Sequence, residues 1–268
     1  MTTMRSLTPR RPLAIVTGAS SGIGLELAKL AAGDGYDLVI AADTPLDDAV
    51  QALEALGAQV SAARVDLSDQ DGVDRILALV GDRPVARLFA NAGHGLGSAF
   101  LDQRFDAIMH VLNTNVSGTL YLLYRVGCEM RLNRRGRILV TGSIAGYQPG
   151  SYQAVYNASK AFIDSFALAL RDELKDSGVS VSCLMPGITD TAFFERAGLL
   201  DTRIGTAPKM DPADVARIGY QAMERGEADV IAGWKNKLET ALAMFIPAAQ
   251  LAARHGKAAK PGSAQPGA

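Results

Sequence analysis

Cysteine is scarce in this chain of 268 residues, which contains only Cys128 and Cys183. The two lie in unrelated apolar contexts, and neither a CxxC pair nor a Cys/His cluster accompanies them. This scarcity excludes a disulfide scaffold and argues against a metal site. Both side chains are therefore predicted to be buried free thiols in a reducing compartment.

An excess of either charge is also missing, because 27 basic residues oppose 28 acidic ones for a net charge of −1. A nucleic-acid-binding protein would carry a basic excess, so no nucleic-acid partner is expected. Long apolar runs are absent as well. The N-terminal "MTTMRSLTPRRP" leads into an apolar run too short for a signal peptide, and no stretch reaches the length of a transmembrane helix. We expect a cytoplasmic protein without a membrane span.

Short apolar runs typical of strands alternate with longer patterns typical of helices. Strands are predicted at 13–17, 38–42, 58–66, 85–91, 136–142, 179–187 and 228–233. Helices are predicted at 22–32, 46–56, 70–80, 105–130, 155–175 and 212–226. This alternation predicts one Rossmann-like, doubly wound α/β domain, whose seven-stranded, mostly parallel sheet is flanked by helices on both faces. We expect the domain to span 12–255, between a flexible N-terminus (1–11) and a Pro/Gly-rich, disordered tail (256–268).

A glycine-rich turn, "TGASSGIG", follows the first predicted strand and opens the first helix. Gly18, Gly22 and Gly24 allow a tight turn and a close approach of backbone N–H groups to a phosphate. The helix N-terminus favours a pyrophosphate at the same place. The alternative is an ordinary glycine-rich turn between a strand and a helix.

Four polar residues are candidates for chemistry. Tyr156 and Lys160 lie one helical turn apart, so the ammonium could favour the phenolate and make a tunable proton donor and acceptor. Ser143 ends the fifth strand, where its hydroxyl could bond a substrate oxygen. Asn115 interrupts a helical pattern with a poor helix former. The alternatives are a solvated Tyr/Lys pair, a capping Ser and an Asn that holds a backbone kink.

In order and spacing, Asn115, Ser143, Tyr156 and Lys160 resemble the catalytic tetrad of the classical short-chain dehydrogenase/reductases, and the glycine turn resembles the T-G-x3-G-x-G pattern of that family. The resemblance implies hydride transfer between a nicotinamide and a carbonyl or secondary alcohol. It implies Tyr156 as the acid/base and Ser143 as the holder of the substrate oxygen. Lys160 would lower the pKa of Tyr156 and bond the nicotinamide ribose, and Asn115 would seat a water. The alternative function is a nucleotide-sensing regulatory protein without turnover.

Further segments resemble the cofactor-binding parts of the family, over roughly residues 12 to 235. "VDL" (65–67) resembles the segment at the adenine ring, "ANAG" (90–93) the turn that lines the cofactor, and "PGITDT" (186–191) the turn at the carboxamide. Ala90 stands where the family usually has Asn. The resemblance thus implies cofactor contacts from Gly18, Ser20, Ser21, Gly22, Ile23, Gly24, Asp43, Asp66, Leu67, Asn91, Ala92, Gly93, Tyr156, Lys160, Pro186, Gly187, Ile188 and Thr191.

Asp43 bears on the choice between NAD and NADP. It ends the second strand 25 residues after Gly18, near the spacing at which a carboxylate meets a ribose 2′-hydroxyl. The same carboxylate would repel the phosphate of NADP, and no arginine follows it in sequence. The usual NAD-selecting acid of the family falls one position earlier, at Ala42. We expect NAD, with NADP as the alternative; the other reading of Asp43 is a turn or capping residue.

Several remaining features concern substrate and assembly. The segment 190–211 is predicted to be a mobile lid, whose Phe193 and Phe194 favour an apolar small-molecule substrate. His94 is interpreted as a loop residue, and Trp234 as a packing or subunit-contact residue. The apolar segment 236–254 could lie on a membrane, but its basic face is thin and Pro247 interrupts it, so packing on the domain or a neighbour is favoured. Family resemblance implies a homodimer or homotetramer.

Overall fold

The computed structural model describes residues 11–264. Its sheet has seven strands in the order β3-β2-β1-β4-β5-β6-β7, and every neighbouring pair is parallel. The strands are β1 (Leu13–Thr17), β2 (Asp37–Ala42), β3 (Val60–Arg64), β4 (Val85–Ala90), β5 (Gly136–Thr141), β6 (Val179–Met185) and β7 (Asp229–Ile231). The predicted doubly wound fold is confirmed, and the described sheet is entirely parallel.

Helices cover both faces of the sheet. They are α1 (Gly22–Gly33), α2 (Asp47–Glu54), α3 (Gln70–Val80), α4 (Phe105–Leu112), α5 (Thr119–Leu132), α6 (Ala154–Glu173), α7 (Phe193–Arg196), α8 (Arg203–Thr206), α9 (Pro212–Arg225), α10 (Trp234–Ala243) and α11 (Ala248–Ala259).

Successive strand residues point into two separate cores, because side chains alternate between the faces of a sheet. In β1, Ile15 packs into the core built with α3, α5 and α6. Its neighbours Ala14 and Val16 pack into the core built with α1, α2 and α9. A strand buried on both faces must be apolar throughout, which explains why its run is continuous.

The long helix predicted at 105–130 is divided in the structure. A π-helical turn, Asn113–Gly118, separates α4 from α5. Within it Thr114, Asn115 and Gly118 are buried. A Cβ added at Gly118 would lie 1.8 Å from the carbonyl oxygen of Leu67, so the helix backbone closely approaches the segment after β3. Widened turns of this kind often occur at functional sites.

The end of the described chain is ordered, so the expectation of a disordered tail from residue 256 is wrong for 256–264. Helix α11 runs to Ala259, whose side chain is fully buried. Beyond it, Ser263 Oγ accepts from Arg203 N at 3.1 Å, and Gly262 N donates to an Asp201 carboxylate oxygen at 2.8 Å. The small residues at 258–264 permit this close packing. Residues 265–268 and the predicted flexible segment 1–10 lie outside the described residues.

The helices differ from membrane-crossing segments in length and composition. Between residues 11 and 264, none combines the length and the apolar character that a bilayer span requires.

Candidate active site

A cavity of about 730 Å³ opens at the carboxyl ends of the strands. The strand order reverses between β1 and β4, which is where doubly wound sheets bind their ligands. All eighteen residues predicted to contact a cofactor line this cavity, together with Ser143. Asn115 lies behind the wall and does not line it. The cavity is therefore the candidate active site.

The glycine turn lines one side of the cavity. Gly18 and Gly22 have φ values of +67° and +57°, which other residues rarely adopt. A Cβ on Gly24 would lie 2.1 Å from Gly18 O, so α1 starts in contact with the strand end. Within the described chain, Ser21 makes no side-chain cap, which leaves backbone N–H groups of the first turn of α1 facing the cavity. This cradle fits a pyrophosphate.

Side-chain hydrogen bonds hold the three central strand ends in place. Thr17 Oγ1 at the end of β1 accepts from the N–H groups of Asn91 and Ala92, at 3.0 and 3.1 Å. Asn91 Nδ2 donates to Thr17 O at 3.1 Å, and its Oδ1 accepts from Thr141 Oγ1 at 3.1 Å. Asn91 thus links the end of β1 to the end of β5. Ala90 stands where the family usually has Asn and contributes no side-chain hydrogen bond to this link.

Tyr156 and Ser143 meet inside the cavity. Burial raises the pKa of the Tyr156 phenol to about 12, although the adjacent Ser143 hydroxyl partly opposes this shift. The phenol is therefore fully protonated at neutral pH in this state. Ser143 also accepts from Ala145 N at 3.1 Å, so it caps the following 3-10 turn as well as facing Tyr156.

Lys160 is buried beneath Tyr156. Its Nζ donates to Thr141 O at 2.8 Å and lies 6.0 Å from the centre of the Tyr156 ring. Burial lowers the pKa of Lys160, and the nearby Asp164 carboxylate opposes this effect. The expected lowering of the Tyr156 pKa by Lys160 stays a prediction.

Asn115 joins the π-helical turn to the loop after β4. Its Oδ1 accepts from His94 N at 2.7 Å, and its Nδ2 donates to His94 O and to Ser159 Oγ, both at 2.9 Å. The side chain thus holds backbone next to Gly93, whose added Cβ would lie 3.4 Å from Lys160 Nζ. This arrangement matches the alternative in which Asn115 supports an irregular backbone.

Asp164 is a buried carboxylate that the sequence analysis missed. Its Oδ1 accepts from Ser143 N at 3.3 Å and from Cys183 Sγ at 3.6 Å. Its Oδ2 is buried and has no hydrogen-bond partner in the described part of the chain. Burial raises its pKa to about 6, against the opposing charge of Lys160. The signal was available: Asp164 follows Lys160 by four residues and so shares its helix face.

A second missed residue lies at the adenosine end of the cavity. Arg196 of α7 forms an ion pair with Asp43, and Arg64 Nε donates to the carbonyl oxygen of Asp43 at 3.3 Å. Basic side chains thus lie beside Asp43 in the structure, although no arginine follows it directly in the sequence. Arg196 is far from Asp43 in sequence, and no local pattern connects them.

The segment predicted to be a lid covers the catalytic side of the cavity. A parallel β-bridge between Thr189 and Met210 joins the two ends of this segment. Phe193 stacks obliquely on Tyr156 with 4.9 Å between ring centres. Gly97 N donates to Ala197 O at 2.8 Å, so the segment rests on the loop after β4. Its mobility stays a prediction.

Two residues given little weight from sequence do line the cavity. The His94 ring packs edge-on against His110 with 5.2 Å between centres, and burial lowers its pKa. Trp234 also lines the cavity, at the end away from His94, and is 70% exposed. The described chain therefore does not bury Trp234 in a packing role. No cluster of three potential metal ligands occurs within residues 11–264.

Comparison with known proteins places this geometry in a family. The sequence profile described as short chain dehydrogenase matches residues 12–199. A very-long-chain 3-oxoacyl-CoA reductase of Neurospora crassa is 33% identical over 233 residues, which cover 83% of this chain and 69% of that protein.

Solved structures agree. A short-chain dehydrogenase from Sphingobium yanoikuyae in complex with NADPH superposes with a TM-score of 0.77 at 27% identity, covering 88% of this chain and 96% of that one. A short-chain dehydrogenase/reductase from Burkholderia phymatum in complex with NAD superposes with a TM-score of 0.79 at 24% identity, covering 87% and 92%. The second likeness shows the shared fold.

The chain belongs to the short-chain dehydrogenase/reductase family. It is an NAD(P)-dependent oxidoreductase that acts on a small-molecule alcohol or carbonyl group. The family and reaction class predicted from the sequence are confirmed, and the alternative of a regulatory protein without turnover is not favoured.

Proposed function

We propose that this enzyme transfers a hydride between a nicotinamide and the carbonyl or secondary-alcohol carbon of an apolar substrate, with Tyr156 as the acid/base. The observation that carries this proposal is that Tyr156, Ser143 and Lys160 share one cavity with the glycine turn. A protonated phenol suits ketone reduction, because the forming alkoxide needs a proton donor. Ser143 would hold the substrate oxygen, and Asp164 would fix the Ser143 backbone.

The cofactor would lie along the strand ends. When bound, it supplies the hydride donor or acceptor. The first turn of α1 would bind its pyrophosphate, and Asp66 would bond the adenine. Lys160 would bind the ribose on the catalytic side, and Thr191 and Ile188 would hold the carboxamide. Asn115 would support the backbone beneath Lys160, and the predicted water at this residue remains a further proposal.

We propose NAD as the preferred cofactor, with NADP also accepted. Asp43 would accept a hydrogen bond from the ribose 2′-hydroxyl of NAD. Arg196 would partly neutralise Asp43 and offer a guanidinium to a 2′-phosphate. Both side chains remain more than one-third exposed, at 38% and 39%, so solvent screening keeps the discrimination modest.

An apolar substrate is proposed from the lining of the catalytic end. Phe193, Ile204, Met210 and Trp234 all face the cavity there. The Neurospora relative is a very-long-chain 3-oxoacyl-CoA reductase, which supports the same substrate character. The chemistry would then be reduction of a ketone that carries an extended apolar substituent.

A homodimer or homotetramer is proposed through α4, α5 and α6. Apolar side chains on these helices are exposed in the single chain, among them Phe105 (70%), Tyr124 (68%) and Phe162 (46%). Light scattering at micromolar concentration would show a monomer if this proposal were wrong. The reducing cytoplasm remains the proposed location, since Cys128 and Cys183 are both free thiols.

The deciding experiment is a panel of ketones and alcohols of graded chain length, assayed separately with NAD(H) and NADP(H). The proposal predicts turnover that depends on Tyr156 and kcat/KM that rises with apolar chain length. Binding of nicotinamide cofactor without turnover of any panel member would instead support a sensing role.

A further inference from the structure

Helix α10 presents an apolar face that residues 11–264 leave uncovered. Trp234, Leu238 and Leu242 recur every four residues and therefore share one side of the helix. They are 70%, 54% and 57% exposed, and Thr240 is the one residue of α10 classed as buried. This apolar stripe ends at Phe245, which is 88% exposed. A surface helix normally buries such a face, so this one is built for contact with something else.

The two C-terminal helices carry an excess of basic residues, and both border the cavity, α10 through Trp234 and α11 through His255. Along residues 234–260, five exposed basic residues stand against the single acid Glu239, a net charge of +4 for this stretch in a chain of net charge −1. The five are Lys235, Lys237, Arg254, Lys257 and Lys260. Within 236–254 alone the basic face is thin, because only Lys237 and Arg254 are basic there. Helices α10 and α11 extend beyond this segment at both ends, and the longer stretch 234–260 adds Lys235, Lys257 and Lys260.

The apolar stripe is continuous with the mouth of the active site. Trp234, Lys235 and Glu239 line the cavity, whereas Leu238, Leu242 and Phe245 continue outward from it. A surface that covered the stripe would therefore lie against the opening. This position explains why a large aromatic residue is placed at the junction, since Trp favours the interface between apolar and aqueous surroundings.

A second copy of the chain is a poor occupant of this surface. A twofold contact through this surface matches it with its own copy, so two C-terminal helical stretches, each of net charge +4, would approach each other. An anionic lipid surface instead offers opposite charge to the lysines and an apolar layer to the stripe. Interfacial helices of this kind combine a basic polar face with Trp, Phe and Leu on the other face.

We propose that α10 and the connector 244–246 dock this enzyme on an anionic lipid surface, with Trp234, Leu238, Leu242 and Phe245 entering the interfacial layer. The active-site mouth then faces the lipid, and apolar substrates reach the cavity directly from it. The delivery of substrate rests on the apolar substrate proposed above, whereas the docking does not depend on it.

The test is binding of the full chain to vesicles of phosphatidylcholine alone and of phosphatidylcholine mixed with phosphatidylglycerol. The chain has one tryptophan, so its emission reports the stripe alone. Flotation with the anionic vesicles is expected, with a blue shift of the Trp234 emission and with weaker binding at high salt. Absence of binding to the anionic vesicles overturns the proposal.

Matched variants locate the contact. Leu242→Glu should weaken vesicle partitioning by about tenfold or more, because burying one leucine side chain is worth about 1.5–3 kcal/mol. Leu132→Glu makes the same change at an 81% exposed residue at the end of α5, which leads into the amino end of β5 and so lies away from the cavity at the carboxyl ends of the strands, and it should have no effect. Lys237→Glu should weaken binding to the anionic vesicles only. All three should retain wild-type turnover of a water-soluble ketone, which verifies folding.

Two results would contradict the inference. One is unchanged vesicle binding by Leu242→Glu and Lys237→Glu. The other is a wild-type oligomer that Leu242→Glu dissociates, seen by light scattering without any vesicle binding, which would assign the stripe to a subunit contact. Loss of turnover on every ketone would refute the proposed function but leave the vesicle result standing.

Discussion

Asp43 and Arg196 form an ion pair across 153 residues of sequence, and this pair joins the adenosine end of the active site to the lid segment. Asp43 follows β2, whereas Arg196 ends α7 on the segment that also places Phe193 against Tyr156. One side chain of the predicted lid segment therefore contacts the acid that we propose selects the cofactor, and another contacts the proposed catalytic phenol.

Removing the charge of Asp43 should favour NADP. For Asp43→Asn, the ratio of kcat/KM with NADP to that with NAD should rise about fivefold, because a carboxylate beside a phosphate in a half-exposed site repels it by about 1 kcal/mol. Arg196→Ala should shift the ratio in the opposite direction. Calorimetric binding of 2′,5′-ADP compared with 5′-AMP checks the same preference without turnover.

Arg217→Ala, which removes an exposed arginine paired within α9, is the matched control and should change neither ratio nor affinity. Unchanged preference in both Asp43→Asn and Asp43→Arg would make Asp43 a turn residue rather than a selector.

Tyr156→Phe should reduce turnover by several orders of magnitude, while the affinity for cofactor stays nearly constant. The phenol supplies or accepts the substrate proton, and general acid–base catalysis contributes about 10²–10⁴-fold. Steady-state rates and fluorescence titration of the reduced cofactor measure the two effects. Tyr124→Phe, at an exposed position of α5, should retain full activity. A Tyr156→Phe enzyme near the wild-type rate would remove Tyr156 from the mechanism.

Asp164→Asn should stabilise the protein more at neutral than at acid pH. The folded-state pKa of Asp164 is raised from 3.8 to about 6, so the folded protein holds this proton more tightly than the unfolded chain. The wild type therefore loses stability as the pH rises from about 4 to about 6, and the asparagine variant lacks that loss.

The difference in unfolding free energy between Asp164→Asn and wild type should grow by about 1–3 kcal/mol between pH 4 and pH 7, measured by urea denaturation. A difference that is constant with pH would show that Asp164 carries no raised pKa. A lower kcat of Asp164→Asn at unchanged cofactor affinity would support the role of Asp164 in positioning Ser143.

Two glycines of α1 should respond in opposite ways to alanine. Gly24→Ala places a Cβ 2.1 Å from Gly18 O, a backbone atom that cannot move aside, and should cost about 1–3 kcal/mol or more. Gly33→Ala places a Cβ in open space at the end of the same helix and should stabilise by about 0.5–1 kcal/mol. Thermal unfolding with and without cofactor measures both. Equal effects would contradict the close approach of α1 to the glycine turn.

The order of strands and helices was predictable because the central strands are buried on both faces and are therefore continuous apolar runs, as in β1. Asn115 was also identifiable, since a poor helix former in a helical pattern marked the π-helical turn. Asp164 carried a readable signal in its spacing from Lys160, but an acid on a helix is usually solvated and was given no weight.

Other features depend on tertiary packing that no local pattern encodes. Arg196 meets Asp43 only because the lid segment folds back over the strand ends. The pKa of Tyr156 depends on its burial in the folded protein, which its spacing from Lys160 in sequence does not reveal. The Pro/Gly-rich composition of 256–264 predicted disorder, but small residues there fit against Asp201 and Arg203.

That last contact has a practical consequence for handling the protein. Because Gly262 and Ser263 hydrogen-bond to the segment between α7 and α8, the end of the described chain braces the lid segment from outside. A truncation at residue 260 would remove both hydrogen bonds, and we expect it to alter the packing of the predicted lid segment. Kinetic constants from C-terminally shortened or tagged enzyme should therefore be compared with those of the untagged full chain.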